Sequence, residues 1–305
     1  MSKRVLIVGC GYIGLPLGHT LVEQGHQVFG LRRSEAGAAE LTAAGITPLH
    51  ADVTKAQTLA ALPMEYDWVV NCAAAGGGSA DDYRQLYVMG NFNLVDWLHP
   101  SPPRKYVYTS STSVYGQNDG SLVVETDAVA PAAETARCLV EAENLLFSAH
   151  EKLKFPVVVL RAAGIYGPGR GHWLRQLLRG EARLDGDGSR WLNMIHRDDV
   201  VGAIIKALEG APAGSVYNAV DNEPVAQRDF FAWLAGRLNL PMPPAAPTDA
   251  ESFRKRGVTN KRVSNLRLKQ QLGFPYKYPT FRQGYAAELR RLEQAGELPD
   301  GILMG

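Results

Sequence analysis

Residues 109–116 read TSSTSVYG, a run of hydroxyl side chains from Thr109 to Ser113 followed by Val114, Tyr115 and Gly116. Hydroxyls this dense either satisfy backbone groups in a turn or hold and move protons in a catalytic site. A second stretch, VLIVGCGYIGLPLG (Val5–Gly18), places Gly9, Gly11 and Gly14 between an apolar run and a helical one. Each glycine has a separate job at that spacing. Gly9 permits a tight turn, Gly11 lets a pyrophosphate approach the backbone, and Gly14 brings the helix close to the strand. The helix start then offers free N–H groups and a favourable dipole to the phosphates. A lone GxGxxG is weak evidence, but one that follows a strand and opens a helix points to dinucleotide binding.

The next apolar run ends GLRRS. A site for NAD carries an acid about 20 residues after the glycines to accept the ribose hydroxyls. Arg32 and Arg33 stand there instead. A guanidinium can pair bidentately with the 2′-phosphate of NADP, whereas an acid would repel it. Either arginine alone could equally be a solvated loop cation, but together they favour NADP over NAD.

These residues need a scaffold, and the pattern supplies one. Apolar runs at Arg4–Val8, Gln27–Leu31, Ile46–Ala51, Trp68–Cys72, Lys105–Thr109 and Pro156–Arg161 read as parallel strands buried on both faces. Between them, Tyr12–Gln24, Ala36–Ala44, Ala80–Leu98 and Ala132–His150 suit helices. This alternation predicts an α/β fold, a doubly wound parallel sheet with ligands beyond the carboxyl ends of its strands. After Arg161 the pattern becomes irregular, with GIYGPGRG at 164–171 and PMPPAAP at 241–247. The expected organisation is a nucleotide-binding domain over 1–167, with a return at 196–220, and a smaller substrate domain over 168–305.

Composition narrows the partners. The 305 residues are 46% hydrophobic and 21% charged, with a formal net charge of +1. That balance gives no footprint for nucleic acid or an acidic membrane. The basic residues Arg254, Lys255, Arg256, Lys261 and Arg262 read as a solvated face or a contact for a substrate phosphate. Cys10, Cys72 and Cys138 lie far apart without a CxxC spacing, so no metal site is expected. The N-terminal glycines and proline argue against a secretory leader. The expectation is a cytoplasmic protein with a small-molecule substrate, for which a homodimer is allowed.

Further motifs complete the reading: HADV (His50–Val53), NCAAA (Asn71–Ala75), YTSSTSVYG (Tyr108–Gly116), LRAAGIYGPG (Leu160–Gly169), NMIHRDDV (Asn193–Val200) and VYNAVDNEPV (Val216–Val225). In this order the chain resembles the extended short-chain dehydrogenase/reductase family, the NAD(P)-dependent epimerases and dehydratases acting on nucleotide sugars. The resemblance covers nearly the whole chain and implies a Rossmann-like sheet. It implies that Gly9, Gly11, Tyr12, Ile13 and Gly14 hold the dinucleotide, and that Asp52 and Val53 border the adenine. Asp52 could instead bond locally at a turn. Ala73 and Ala74 would line the ribose and pyrophosphate, and the stretch holding Ala162 and Ile165 would wall the nicotinamide.

The family moves a hydroxyl proton with a tyrosinate whose pKa is lowered by a lysine four residues later, while a Ser or Thr bonds the reacting oxygen. Ser111 stands at the Ser/Thr position. Thr135 and Leu139 stand at the tyrosine and lysine positions, so the resemblance is to a branch that lacks the Tyr-x-x-x-Lys pair. Likewise Tyr87 replaces the family's helix-four Asn, and Leu192, with Arg190 nearby, replaces an Arg. Candidate substitutes for the base are Tyr115, Tyr166, His196 and Arg137; Ser111 and Tyr115 are the catalytic candidates. Two functions follow: an NADP-dependent epimerase/dehydratase-like oxidoreductase with a non-standard proton route, or a non-catalytic NADP-binding sensor.

Overall fold

The computed structural model describes residues 1–247 and 259–298. Seven strands form one parallel sheet: β1 (Arg4–Val8), β2 (Gln27–Arg32), β3 (Thr47–His50), β4 (Trp68–Asn71), β5 (Lys105–Ser111), β6 (Val157–Ala162) and β7 (Ser215–Ala219). Their spatial order is β7-β6-β5-β4-β1-β2-β3. All six residues of β6, VVVLRA, are buried, because helices cover both faces of the sheet. The winding reverses between β1 and β4, which pair directly, so the crevice for a ligand opens beyond their carboxyl ends. The doubly wound α/β sheet expected from the sequence is the observed fold.

Helices α1 (Gly14–Glu23) and α5 (Arg197–Gly210) pack together on one face. On the other lie α2 (Ala80–Tyr83), a π-helical turn (Arg84–Met89), α3 (Gly90–Leu98) and α4 (Glu134–Leu153). The single helix expected over 80–98 is therefore widened in its middle. Asn91 there donates to the Tyr87 carbonyl at 2.7 Å and accepts from the Tyr106 hydroxyl at 2.8 Å. Its amide thus joins this wide turn to the sheet. π-turns of this kind collect at functional sites, and this one brings the Tyr87 hydroxyl to the Ala75 N–H at 3.1 Å, just past β4.

A second hydrophobic core gathers Tyr166, Leu174, Leu192 and Met194 with residues of α6 (Gln227–Leu238) and α7 (Phe281–Gln294). Two small pairings tie it to the sheet's mouth: Met194–His196 lies parallel to Gly164–Tyr166, and Trp191–Leu192 antiparallel to Val225–Ala226. The division expected at residue 168 does not hold throughout. Val263, Leu268 and Phe274 bury themselves in the first core, because strand Arg262–Val263 pairs with Leu122–Val123 and carries that segment back against the large sheet.

Candidate functional site

A cleft of about 730 Å³ opens between the two cores. It is walled by the loop after β1, the residues after β4, the end of β5, the loop after β6 and segments of the second core. The volume lies within the roughly 300–1,000 Å³ usual for small-molecule sites. The glycines show why the loop after β1 has this sequence. Gly9 has φ +77°, and a Cβ there would meet the Ala73 Cα at 2.4 Å; one on Gly14 would meet the Gly9 carbonyl at 2.9 Å. Around Gly11 there is open space, the nearest such atom being the Gly9 carbonyl at 4.0 Å. The turn therefore closes behind Gly9 and Gly14 and leaves backbone bare at Gly11, on the cleft side.

The two arginines differ. Arg32 is latched: its Nε donates to the Cys10 carbonyl at 2.6 Å and its Nη2 pairs with Glu40 at 2.8 Å. Arg33 is exposed, lines the same end of the cleft, and its guanidinium has no hydrogen-bond or ion-pair partner among the described residues. Asp52 and Val53 do not line the cleft. The Asp52 carboxylate accepts from the Thr54 N–H at 3.0 Å and hydroxyl at 2.8 Å. Partial burial opposes its charge, but the Thr54 bonds, with Lys55 and Arg33 nearby, outweigh this and hold its pKa below the ordinary carboxylate value. The local turn role is the one the geometry fills.

At the other end lie the hydroxyls of TSSTSVYG, and they divide. The Thr109 hydroxyl donates to the Asn71 carbonyl at 3.2 Å, and the Ser111 oxygen accepts from the Ser113 N–H at 3.2 Å. Ser110 reaches into the protein, donating to Glu143 at 2.5 Å. All five residues, Thr109 to Ser113, border the cleft. Tyr115 does not. It is fully buried; its hydroxyl accepts from Arg161 at 2.8 Å and donates to Asn218 at 2.8 Å. Burial pushes its pKa up, and Arg161 only partly offsets this. The expectation that Tyr115 moves the proton is therefore corrected: its oxygen belongs to a buried network and has no access to a substrate. Sequence reasoning missed that network, in which Arg161 pairs with Glu143 at 2.7 Å with both side chains almost wholly enclosed. Its only visible signal was Arg161 closing the apolar run VVVLR, since Glu143 stands among the other charged residues of its helix.

The other proposed bases are committed elsewhere or lie off the cleft. Tyr166 stacks on Tyr285 with ring centroids 4.3 Å apart, and burial raises its pKa strongly. Arg137 is exposed outside the cleft. His196 caps α5, its Nδ1 accepting the Asp198 N–H at 3.1 Å. That bond needs a bare nitrogen, and burial lowers the His196 pKa to about 4 against the attraction of Asp198. The unfolded chain, with its histidine titrating at the usual value near 6.5, then binds more protons than the folded one between pH 6.5 and 4. Stability falls as pH falls through that window. For His196→Asn, which keeps a capping acceptor but no proton site, we expect less acid destabilisation between pH 7 and 5, on the order of 1–2 kcal/mol, read from urea midpoints. An identical pH slope in the two proteins would refute this.

The sequence profile of the NAD dependent epimerase/dehydratase family matches residues 5–219. The chain belongs to this family. Over 282 residues it is 32% identical to Protein YeeZ of Escherichia coli, covering 91% of this chain and 97% of that one. It is 28% identical to the 2-alkyl-3-oxoalkanoate reductase of Stenotrophomonas maltophilia, over 88% of this chain and 85% of that one. In fold it is similar to the dTDP-glucose 4,6-dehydratase DesIV of Streptomyces venezuelae, a structure with NAD bound. The TM-score is 0.82 at 21% identity, with 95% and 97% of the two chains covered.

An epimerase/dehydratase family member needs a dinucleotide cradle, and these residues fit one. The bare backbone at Gly11, the start of α1 and the open face at Ala73 and Ala74 border one space. There they would hold a pyrophosphate, which when bound would bring a nicotinamide able to exchange hydride. Tyr12, Ile13, Arg32, Arg33, Ala162 and Ile165 line the same cleft, while Gly14 supports it from behind. Leu139, at the family's lysine position, lines the cleft and is buried; Thr135 does not line it. Among the described residues no helix is long and apolar enough to cross a membrane. Arg254, Lys255 and Arg256 lie outside the described residues.

Proposed function

We propose that the protein is an NADP(H)-dependent oxidoreductase that interconverts a carbonyl and a hydroxyl group on a small molecule, a nucleotide sugar or a related compound, by a proton route of its own. The observation that carries this reading is the continuity of the cleft. One space joins the glycine cradle, the serine-bearing end of β5 and an aromatic wall at Trp173 and Trp191. A cofactor sensor has no use for the last two. Similarity to a relative named as a 3-oxoalkanoate reductase supports a carbonyl substrate. The leucine at the lysine position favours the sensor, which is the competing reading.

The test is to follow oxidation of NADPH and NADH with a panel of nucleotide sugars and 3-oxo compounds, with product analysis for redox-neutral reactions. Turnover of at least one compound, faster with NADPH, is expected. NADPH binding without turnover or product across the panel would leave the sensor. Cofactor choice has a sharper test. Arg33→Ala should weaken NADPH by about 10–100-fold, the loss of one charge-assisted contact of about 1.5–3 kcal/mol, and leave NADH unchanged. Arg32→Ala should weaken both, because it unlatches the Cys10 carbonyl in the glycine loop. Calorimetry giving equal losses for both cofactors on Arg33→Ala would remove the NADP preference.

A further inference from the structure

Lys261 is 4% exposed yet lines the cleft. Its ammonium donates to the Tyr115 carbonyl at 3.0 Å and to the Thr259 hydroxyl at 2.7 Å. An ammonium has three N–H donors, and among the described residues the third has no acceptor and the charge has no carboxylate partner. A second polar group in the cleft is also unmatched: the Ser113 Oγ, two residues before the carbonyl that holds Lys261, is buried without a hydrogen bond. The backbone here is fixed by Asn193, which donates to the Lys261 carbonyl at 2.9 Å and accepts from the Val263 N–H at 2.8 Å. A buried cation without counter-charge is costly. Keeping one with a spare proton on a ligand cleft points to a ligand atom that takes that proton.

We propose that Lys261 donates a proton to the oxygen of the substrate carbonyl reduced in this cleft, and accepts it in the reverse direction, with Thr259 and the Tyr115 carbonyl aiming its ammonium. This rests on the oxidoreductase reading above. In reduction the carbonyl carbon accepts hydride, with its electron pair, from the reduced nicotinamide, which is oxidised. The C=O π pair moves onto oxygen, an O–H bond forms there, and an N–H bond of Lys261 breaks. The neutral amine left behind regains a proton from solvent once the alcohol leaves. The groups around Lys261 suit the task. Tyr115 and Thr259 present its ammonium with neutral oxygens, Arg262 beside it turns its guanidinium to the Gly120 carbonyl, and no charged side chain among the described residues shifts its titration. Burial brings its pKa down to about 8, where donor and acceptor forms are both accessible near neutral pH.

The experiment compares the native protein with Lys261→Arg and Lys261→Met, using NADPH with ethyl 2-methyl-3-oxobutanoate and the nucleotide sugars of the panel. Arginine keeps the charge but holds its proton too tightly to give it up. If Lys261 donates the proton, Lys261→Arg lowers kcat by about 10²–10⁴-fold with NADPH affinity within twofold. The native fall in reduction rate as pH rises through about 8 also disappears. Lys261→Met fills the same space with an apolar chain, should fold with an unchanged melting temperature, and should show the same loss. Lys261→Arg retaining kcat within threefold with a raised KM in Lys261→Met would make Lys261 an anion anchor only and overturn the proposal alone. A native protein that reduces no member of the panel would take down the oxidoreductase reading and Lys261's role with it.

Discussion

Glu143→Ala is expected to lower the stability of the folded protein by about 3–5 kcal/mol, the cost of stranding one member of a buried ion pair. Glu143 on α4 and Arg161 on β6 have side chains only 2% and 5% exposed, and their closest approach is 2.7 Å. Removing the carboxylate leaves the guanidinium with the Tyr115 hydroxyl and the Glu125 carbonyl, both neutral, in a region that water does not reach. Ser110 loses its acceptor in the same step. The pair itself is a different matter from its breaking: two buried charges replaced by apolar chains of like volume are often tolerated or even stabilising. Glu143→Leu with Arg161→Met should therefore recover most of what Glu143→Ala loses, apart from the bonds to Ser110 and Tyr115. Urea unfolding of the three proteins decides it. A loss under about 1 kcal/mol for Glu143→Ala, the figure for an exposed pair, would mean that solvent reaches the guanidinium.

The same network shows where sequence reading reached and where it stopped. Six of the seven sheet strands were legible within a residue or two; for the inner ones the reason is that parallel strands buried on both faces must be largely apolar, as in Val157–Ala162, expected as Pro156–Arg161, whereas the edge strand Thr47–His50 is mostly exposed. The strand Ser215–Ala219 was seen only as part of a motif and a returning segment. Its residues SVYNA are half polar, since Asn218 inside it serves Tyr115 and the Ser264 carbonyl. A side chain that bonds across 46 or 103 residues of sequence leaves no local periodicity. For the same reason Tyr115 could pass for a surface turn tyrosine, although tertiary packing draws its hydroxyl wholly inside. The glycines of the loop after β1 were legible because their positions are dictated by backbone geometry, which is local. Lys261 stood within a basic stretch, and nothing in the spacing of that stretch separates an enclosed amine from a solvated one. Only the pairing of Arg262–Val263 with Leu122–Val123 brings it against the serine loop.

That local geometry supports one more test, in which two alanines two residues apart should fail in different ways. At Gly9 an added Cβ meets only backbone, the Ala73 Cα at 2.4 Å and N at 2.5 Å, and the residue has φ +77°. No side chain can swing aside, so either the loop after β1 or the segment after β4 must move. The unfavourable backbone conformation alone costs about 1–3 kcal/mol, and the displaced loop takes the pyrophosphate cradle with it. Gly9→Ala should therefore lose both stability and cofactor. At Gly11 an added Cβ comes no nearer than 4.0 Å to its closest neighbour, and the residue is exposed on the cleft. Gly11→Ala should fold with its unfolding midpoint unchanged. It should nonetheless bind NADPH and NADH on the order of 100-fold more weakly, because the methyl stands where the pyrophosphate must approach the backbone. Calorimetry with each cofactor, beside urea unfolding without any, separates the two. Near-native cofactor affinity in Gly11→Ala would move the pyrophosphate away from this loop and overturn the cradle as drawn; near-native stability in Gly9→Ala would show that the turn has room to relax.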